Sequence, residues 1–480
     1  MNLWDRKLGL LLITALTFFA CEEEIGQLNL TPENNLGIFF AEQSVSDDIE
    51  QLWVGSAPSS FQGRLFAGHY VDPNFGNIDA TGYCDISIGE VRTDPKLITT
   101  AEYIDLEINL RIREATGTFT AIDVQQFDIF QLAEPINEEE QLTSSSVLNL
   151  GNKVGEAEFI LYPDSINLEI PEGVSADERV LYDASGIYIY KINLNLSEEF
   201  KQEFFEAFIS STVDAVEVLS IDSSGAVNDT TFTINSSTRA TLLDQKLKGL
   251  AIVPNQANTA IIGFDLLDPN TNIGLDYTVE NVLGSRVDER GLFILNSLKS
   301  FTNFTPNEDN PWNGGAFDGL SEINQLFPSG DDQVYFQAGT NMFFSVDVSE
   351  FRDLRDSIPN IIIQRAVLSI ENLINPQARI ENPTSLSFLM TNEQELSEGI
   401  LSNNAEGTLL SDLPNLVTFN STTETYTVEI PLYLQGIVDD QNPYDKIIVG
   451  LNTLARDISI RSFVVDKQDI KIQYYYSITN

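Results

Sequence analysis

Ile104, Leu106, Ile108, Leu110 and Ile112 alternate with Asp105, Glu107, Asn109 and Arg111. Successive side chains of a strand point to opposite faces, so this period of two predicts a strand with one buried face. Tyr426, Val428, Ile430 and Leu432 repeat the pattern, as do Ile470, Ile472, Tyr474, Tyr476 and Ile478. Further β-rich runs are Ile187–Leu194, Leu250–Val253, Ala260–Leu267, Met342–Val348, Ile361–Ile370 and Ile447–Leu451. Turn clusters such as Asp268-Pro269-Asn270 and Asn442-Pro443 separate many of them. Helical patterning is sparse. Ser197 is placed to cap a helix with Glu198 and Glu199 in its first turn and Phe200, Phe204 and Phe208 along one face. A second helix is expected near Ser349, with Phe351 and Leu354. The fold class expected is all-β: two jelly-roll-like antiparallel β-sandwich domains with few short helices.

Four blocks recur in the same order. Residues 101–112 answer 361–372, 187–200 answer 425–438, 248–254 answer 445–451, and 264–279 answer 463–478. The likeness is one of strand and turn pattern, so internal duplication and chance similarity between β-rich segments both stay open. Duplication would give sandwiches over 38–300 and 301–480, joined near Asn307–Gly319.

The N-terminus follows a different logic. Arg6 and Lys7 precede an uncharged apolar run, Leu8–Ala20, too short to span a bilayer but suited to a signal peptide. Cys21 follows at once, then Glu22, Glu23 and Glu24. Phe18-Phe19-Ala20-Cys21 resembles a lipobox, with Ala20 as the small residue before the acylated cysteine and Phe where Leu is usual. The acidic triplet resembles the surface-export signal of Bacteroidota lipoproteins. These likenesses imply a signal peptide over 1–20, palmitate-type lipidation at Cys21, and export to the cell exterior of the outer membrane. Residues 21–37, acidic and then polar with Pro32 and Gly37, are expected to form a flexible tether.

Composition narrows the remaining choices. Asp and Glu number 72 against 26 Lys and Arg, for a net charge of −46. Such a chain repels nucleic acid and anionic headgroups, leaving the lipid anchor as its route to a membrane. With Cys21 acylated, Cys84 has no partner for a disulfide within the chain. His69 is the sole histidine, so no tetrahedral Cys/His metal site can assemble. It reads as a turn or packing residue, with general base as the alternative. No G-x-S-x-G, phosphate-cradling loop or dinucleotide fingerprint is present, and no cofactor is implied.

Calcium is the metal whose oxygen ligands this composition supplies. Candidate loops are Asp265–Asp276, Asn307–Asp318 and Asp439–Asp445; none follows the EF-hand spacing, so each reads first as a solvated turn. Trp312 and Phe317 could stack on a sugar or pin their own loop. Asp164-Ser165-Ile166, Asp229-Thr230-Thr231 and Asp356-Ser357-Ile358 resemble the Bacteroidota O-glycosylation acceptor.

The stretch Gly63–Tyr83 carries Gly68, Tyr70, Asp72, Pro73, Phe75 and Gly76 in a G-x-Y-x-D-P-x-F-G arrangement. It resembles a Bacteroidota surface lipoprotein family catalogued as domain of unknown function 4270. Val334–Leu354, Gln364–Asn372 and the closing strand resemble that family's later blocks. The resemblance implies a β-rich displayed lipoprotein with no established activity. The expectation is therefore a non-catalytic binding or structural component of the outer membrane, whose candidate partners are polysaccharide or another outer-membrane protein. The alternative is a carbohydrate-active enzyme or polysaccharide-binding accessory protein, favoured by a distant jelly-roll likeness and abundant acids.

Overall fold

The computed structural model describes residues 37–55, 59, 63–88, 97–137, 142–166, 168–172, 175, 181–218, 232–281, 283–306, 324–329, 331–374, 382–394, 416–450 and 461–479. The strands in chain order begin with β1 (Ile38–Ser44), β2 (Ile49–Trp53), β3 (Arg64–Asp72), β4 (Gly76–Ile88), β5 (Glu102–Gly117), β6 (Val124–Leu132) and β7 (Leu150–Ile160). Then come β8 (Lys191–Asn193), β9 (Asn195–Leu196), helix α1 (Glu198–Asp214), β10 (Val216–Val218), β11 (Phe232–Ile234) and α2 (Ser236–Leu247). β12 (Leu250–Pro254), β13 (Ala260–Asp265), β14 (Asn272–Glu280) and β15 (Arg286–Pro306) follow. The remainder comprises β16 (Leu326–Phe327), β17 (Gln333–Gln337), β18 (Met342–Asp347), α3 (Asp353–Ser357), β19 (Ile361–Ile370), β20 (Ser385–Thr391) and β21 (Val417–Thr418). The chain ends with β22 (Tyr426–Glu429), α4 (Pro431–Val438), β23 (Lys446–Gly450), β24 (Ser462–Asp466) and β25 (Ile470–Ile478). The protein is all-β, its sheets antiparallel and its helices few and short. Among the described residues no helix is long and apolar enough to cross a membrane.

One pairing scheme occurs twice. In the N-terminal half, β15, β14, β5 and β8 pair in that order, and β15 also pairs β4, which leads to β12 and β6. In the C-terminal half the corresponding orders are β1-β25-β19-β22 and β2-β18-β23-β20. β3 bridges β4 and β13, just as β17 bridges β18 and β24. Register agrees as well. Leu106 faces Leu275 and Ile108 faces Ile273 in one half; Ala366 faces Tyr474 and Leu368 faces Ile472 in the other. These are the positions that the recurring sequence blocks align.

The halves differ in where their closing strand originates. β15 follows β14 along the chain and runs through residue 300 to Pro306. β1 and β2, at the opposite end of the sequence, occupy the equivalent place beside β25 and β18. Residues 38–53 thus lie with the C-terminal strands, whereas the sequence grouped them with 38–300. The expected junction, Asn307–Gly319, lies outside the described residues.

Two cores result. One gathers Leu106, Ile108, Leu110, Ile112, Phe264, Tyr277 and Phe293 beneath Phe200, Phe204 and Phe208 of α1. Ser197 caps that helix as expected, its hydroxyl accepting from the Phe200 N–H at 3.3 Å. The second core fills the C-terminal sandwich, and Phe66, Tyr70, Phe75, Ile78, Ala80, Ile261 and Phe304 of the N-terminal half enter it. β3 and β4 are therefore buried on both faces: Leu65 and Ala67 turn to one core, Phe66 and Tyr70 to the other. The continuous apolar run LFAGHY follows from that position.

Two expectations change. The strand expected through Leu432 stops at Glu429, and Leu432 belongs to α4, which Pro431 opens. Proline's fixed φ and missing N–H suit a first helical position. Helix α2, unforeseen, is capped by the Asn235 side chain, which accepts from the Thr238 N–H at 3.0 Å. Near Ser349 a 3-10 turn leads into α3, with Phe351 buried.

Candidate functional site

The G-x-Y-x-D-P-x-F-G stretch forms the β3–β4 hairpin. Asp72 ends β3 and accepts from the N–H groups of Asn74 at 2.8 Å and Phe75 at 3.0 Å, which fixes the turn through Pro73. Gly76, at φ +70°, then restarts the ladder opposite Asp72. Gly68 is needed for a different reason: a Cβ there would lie 2.1 Å from the Ala260 carbonyl oxygen on β13. Tyr70 and Phe75 are buried, and the Phe75 ring meets Tyr335 of β17 edge-on at 6.2 Å. Burial pushes the Asp72 carboxyl up, against the downward pull of its turn N–H groups and Tyr70. The motif is thus a wedge that the N-terminal half drives into the C-terminal core. All six residues have packing or turn-forming roles.

His69 sits in strand β3 rather than a turn. Its Nδ1 lies 2.7 Å from Asp79 Oδ1 on the facing strand, and Gln256 donates to the same carboxylate oxygen at 3.1 Å. The ring is buried. Cys84 is a free, fully buried thiol, pushed far up by burial and by Asp85, which makes it unreactive.

The two calcium candidates among the described residues are organised by arginine. In Asp265–Asp276, the buried Arg111 guanidinium bonds Asp268 and also reaches Asp183 at 2.7 Å, while Arg113 reaches Asp265 at 3.2 Å. The Ile187 N–H and Arg111 together hold Asp183 down at about 2. In Asp439–Asp445, Arg352 bonds Asp445 at 2.7 Å, lies 3.3 Å from Asp440, and donates to the Asn442 carbonyl at 3.2 Å. In both loops guanidinium groups engage carboxylates that a cation would need as ligands. Among the described residues no cluster of His, Cys, Asp and Glu has the arrangement of a metal site.

Among the described residues lies a concave feature that the sequence did not suggest. An open cleft of about 720 Å³ is lined by Asp47, Asp48, Glu50, Asp332, Asp347 and Asp466, with Lys467 on its rim. Burial raises the Asp48 carboxyl, and Glu350, Asp347 and Asp47 add to the rise. Burial also raises Asp347, but the ammonium of the buried Lys446 and the contacts of Ser349 bring it below its ordinary value. The described lining has carboxylates but no aromatic ring on which a sugar could stack. Its members come from four separate segments, so no local motif could announce it.

Cys21, Glu22, Glu23, Glu24, Trp312, Phe317, the Asn307–Asp318 loop and Asp229–Thr231 lie outside the described residues. Asp164–Ile166 lies on a 3-10 turn and Asp356–Ile358 at the end of α3. No protein-family profile, curated protein or solved structure matches this chain.

Proposed function

We propose that this chain is a non-catalytic, lipid-anchored surface protein of the Bacteroidota outer membrane, acting as a binding or structural component. The observation that carries the reading is the N-terminal order: basic pair, apolar Leu8–Ala20, Cys21, then three glutamates. Supporting it, the first described strand begins at Ile38, directly after the tether, and pairs with the last strand, β25. An anchor at Cys21 would thus hold the body by one end of the C-terminal sandwich. Kinship with the lipoprotein family belongs to the same proposal and rests on the β3–β4 motif. So does descent by internal duplication, which the repeated strand order supports.

Palmitate labelling of the chain and of Cys21→Ala tests the anchor. Label should enter only the former, and the N-terminal peptide should carry acyl mass on residue 21. Equal labelling, or a free thiol at Cys21, defeats the proposal. Replacing Glu22–Glu24 by glutamine should then reduce protease access on intact cells without loss of label.

A further inference from the structure

The end of the four-stranded sheet nearest the tether has an unusual surface. Ile38, Phe39 and Phe40 of β1 are 63%, 45% and 54% exposed, although the strand is only beginning. Phe39 stacks on Tyr476 with centroids 5.3 Å apart, and Phe40 lies 5.1 Å from Tyr475, on the opposite face of the sheet. Register places Ile38 in line with Ser477 and Ile362, so Ile38, Phe40, Tyr475 and Ile362 share the outer face. Leu432, at the start of α4, lines a shallow hollow with Ile362. All six of these exposed side chains are uncharged, in a chain whose net charge is −46.

We propose that this corner is a lipid-facing surface, seated at headgroup level in the bilayer that holds the anchor. The inference rests on the anchored reading above and adds the orientation of the body. The tether from Cys21 to Ile38 reaches at most roughly 60 Å fully extended, and it enters the fold at the patch itself. The point of entry keeps this corner within that reach of the membrane. Phenylalanine and tyrosine rings are suited to that depth, apolar in body and, for tyrosine, polar at the tip. Isoleucine and leucine add apolar area that aqueous display would leave uncovered. A zwitterionic headgroup layer is the probe suited to this body, because anionic lipid repels its acidic surface. Among the described residues β1 pairs on one side only, so a second copy of this chain is the rival occupant.

The test places a hexahistidine tag at position 21 of the mature chain and holds it on phosphatidylcholine vesicles containing nickel-chelating lipid. Anchoring then does not depend on acylation. A Phe40→Trp variant is compared with Val147→Trp, an exposed site in the N-terminal half, using brominated acyl chains as quenchers. The expected result is quenching several-fold greater at position 40 than at 147, beyond the native tryptophan background and unchanged at high salt. Equal quenching at both sites overturns the proposal. So does a sedimenting dimer, abolished by Phe39→Ser with Phe40→Ser, which would assign the patch to self-association. Palmitate labelling decides the anchor separately, so either idea can fail while the other stands.

Discussion

The two halves solve the same closure problem with strands of different origin. In the N-terminal half, β15 turns back from β14 through a short connection and pairs first with β14 and then with β4. In the C-terminal half, β1 and β2 make the two equivalent pairings from the far end of the sequence. Local closure costs little chain entropy, whereas closure from a distance requires the rest of the protein to be in place. The N-terminal half should therefore be self-sufficient. The C-terminal half should depend on the segment adjoining the proposed anchor.

The largest effect is expected from removing residues 38–53. Val45, Ile49 and Leu52 are almost wholly buried. At about 1.5–3 kcal/mol for each buried aliphatic side chain, their loss approaches the whole stability of a domain. Gln51 adds to the deficit. Its side chain donates to the carbonyls of Tyr335 at 2.9 Å and Phe343 at 2.7 Å and accepts from the Tyr335 N–H at 2.6 Å. That one amide joins β17 to β18 where few backbone bonds do so. Hydrogen exchange should show β18, β19 and β25 unprotected in the truncated protein while β5, β14 and β15 stay protected. A peptide spanning 38–54 should restore the lost protection. Unchanged protection in the C-terminal strands would refute the dependence.

A smaller change separates the halves without removing either closing strand. Phe75→Ala empties the tip of the wedge against Tyr335, and a buried phenylalanine truncation costs about 3–5 kcal/mol. The expected outcome in calorimetry is a single transition resolving into two, with the N-terminal half melting later. A uniform downward shift of one transition would mean that the wedge contributes to packing but not to coupling.

How much of this was legible depended on how many faces each element buries. β19 and β25 bury one face over most of their length, and their alternation gave them away; β5 alternates in sequence although Asn109 and Arg111 on its second face are buried too. β3 buries both faces, so its apolar run suggested a motif but not its interdomain role. Leu432 continued an alternating pattern and misled, because only Pro431 marked the change from strand to helix. Helix α2 was hidden since its buried stripe is Arg239, Leu243 and Leu247, an incomplete apolar face. That arginine lies over the Phe208 ring at 5.2 Å, a contact no periodicity predicts. The recurring blocks aligned residues that do pair equivalently, but nothing local told β1 and β2 which half to complete. The acidic cleft was illegible for the same reason: its carboxylates meet only after those distant strands have paired.

The subtlest difference concerns buried charge. The C-terminal half neutralises Asp347 with Lys446, and the carboxyl lies below its ordinary value. At the equivalent strand of the N-terminal half, Asp85 of β4 shares Lys299 with Asp244, at 3.3 Å and 2.8 Å. Burial, followed by the charge of Asp244, raises Asp85 to about 6. A carboxyl raised in the folded state takes up its proton before the unfolded chain does. Stability from this group is therefore gained as pH falls from about 6 toward 4 and is absent above 6. Asp85→Asn should hold the gain at neutral pH, because Asn can still accept from the Ile86 N–H through Oδ1 and Lys299 keeps Asp244. The N-terminal transition in urea should strengthen by about 1–3 kcal/mol at pH 7 and lose its rise between pH 6 and 4. If the variant is instead weakened equally at both pH values, Asp85 is a productive ion-pair partner like Asp347, and in this respect the two halves are alike.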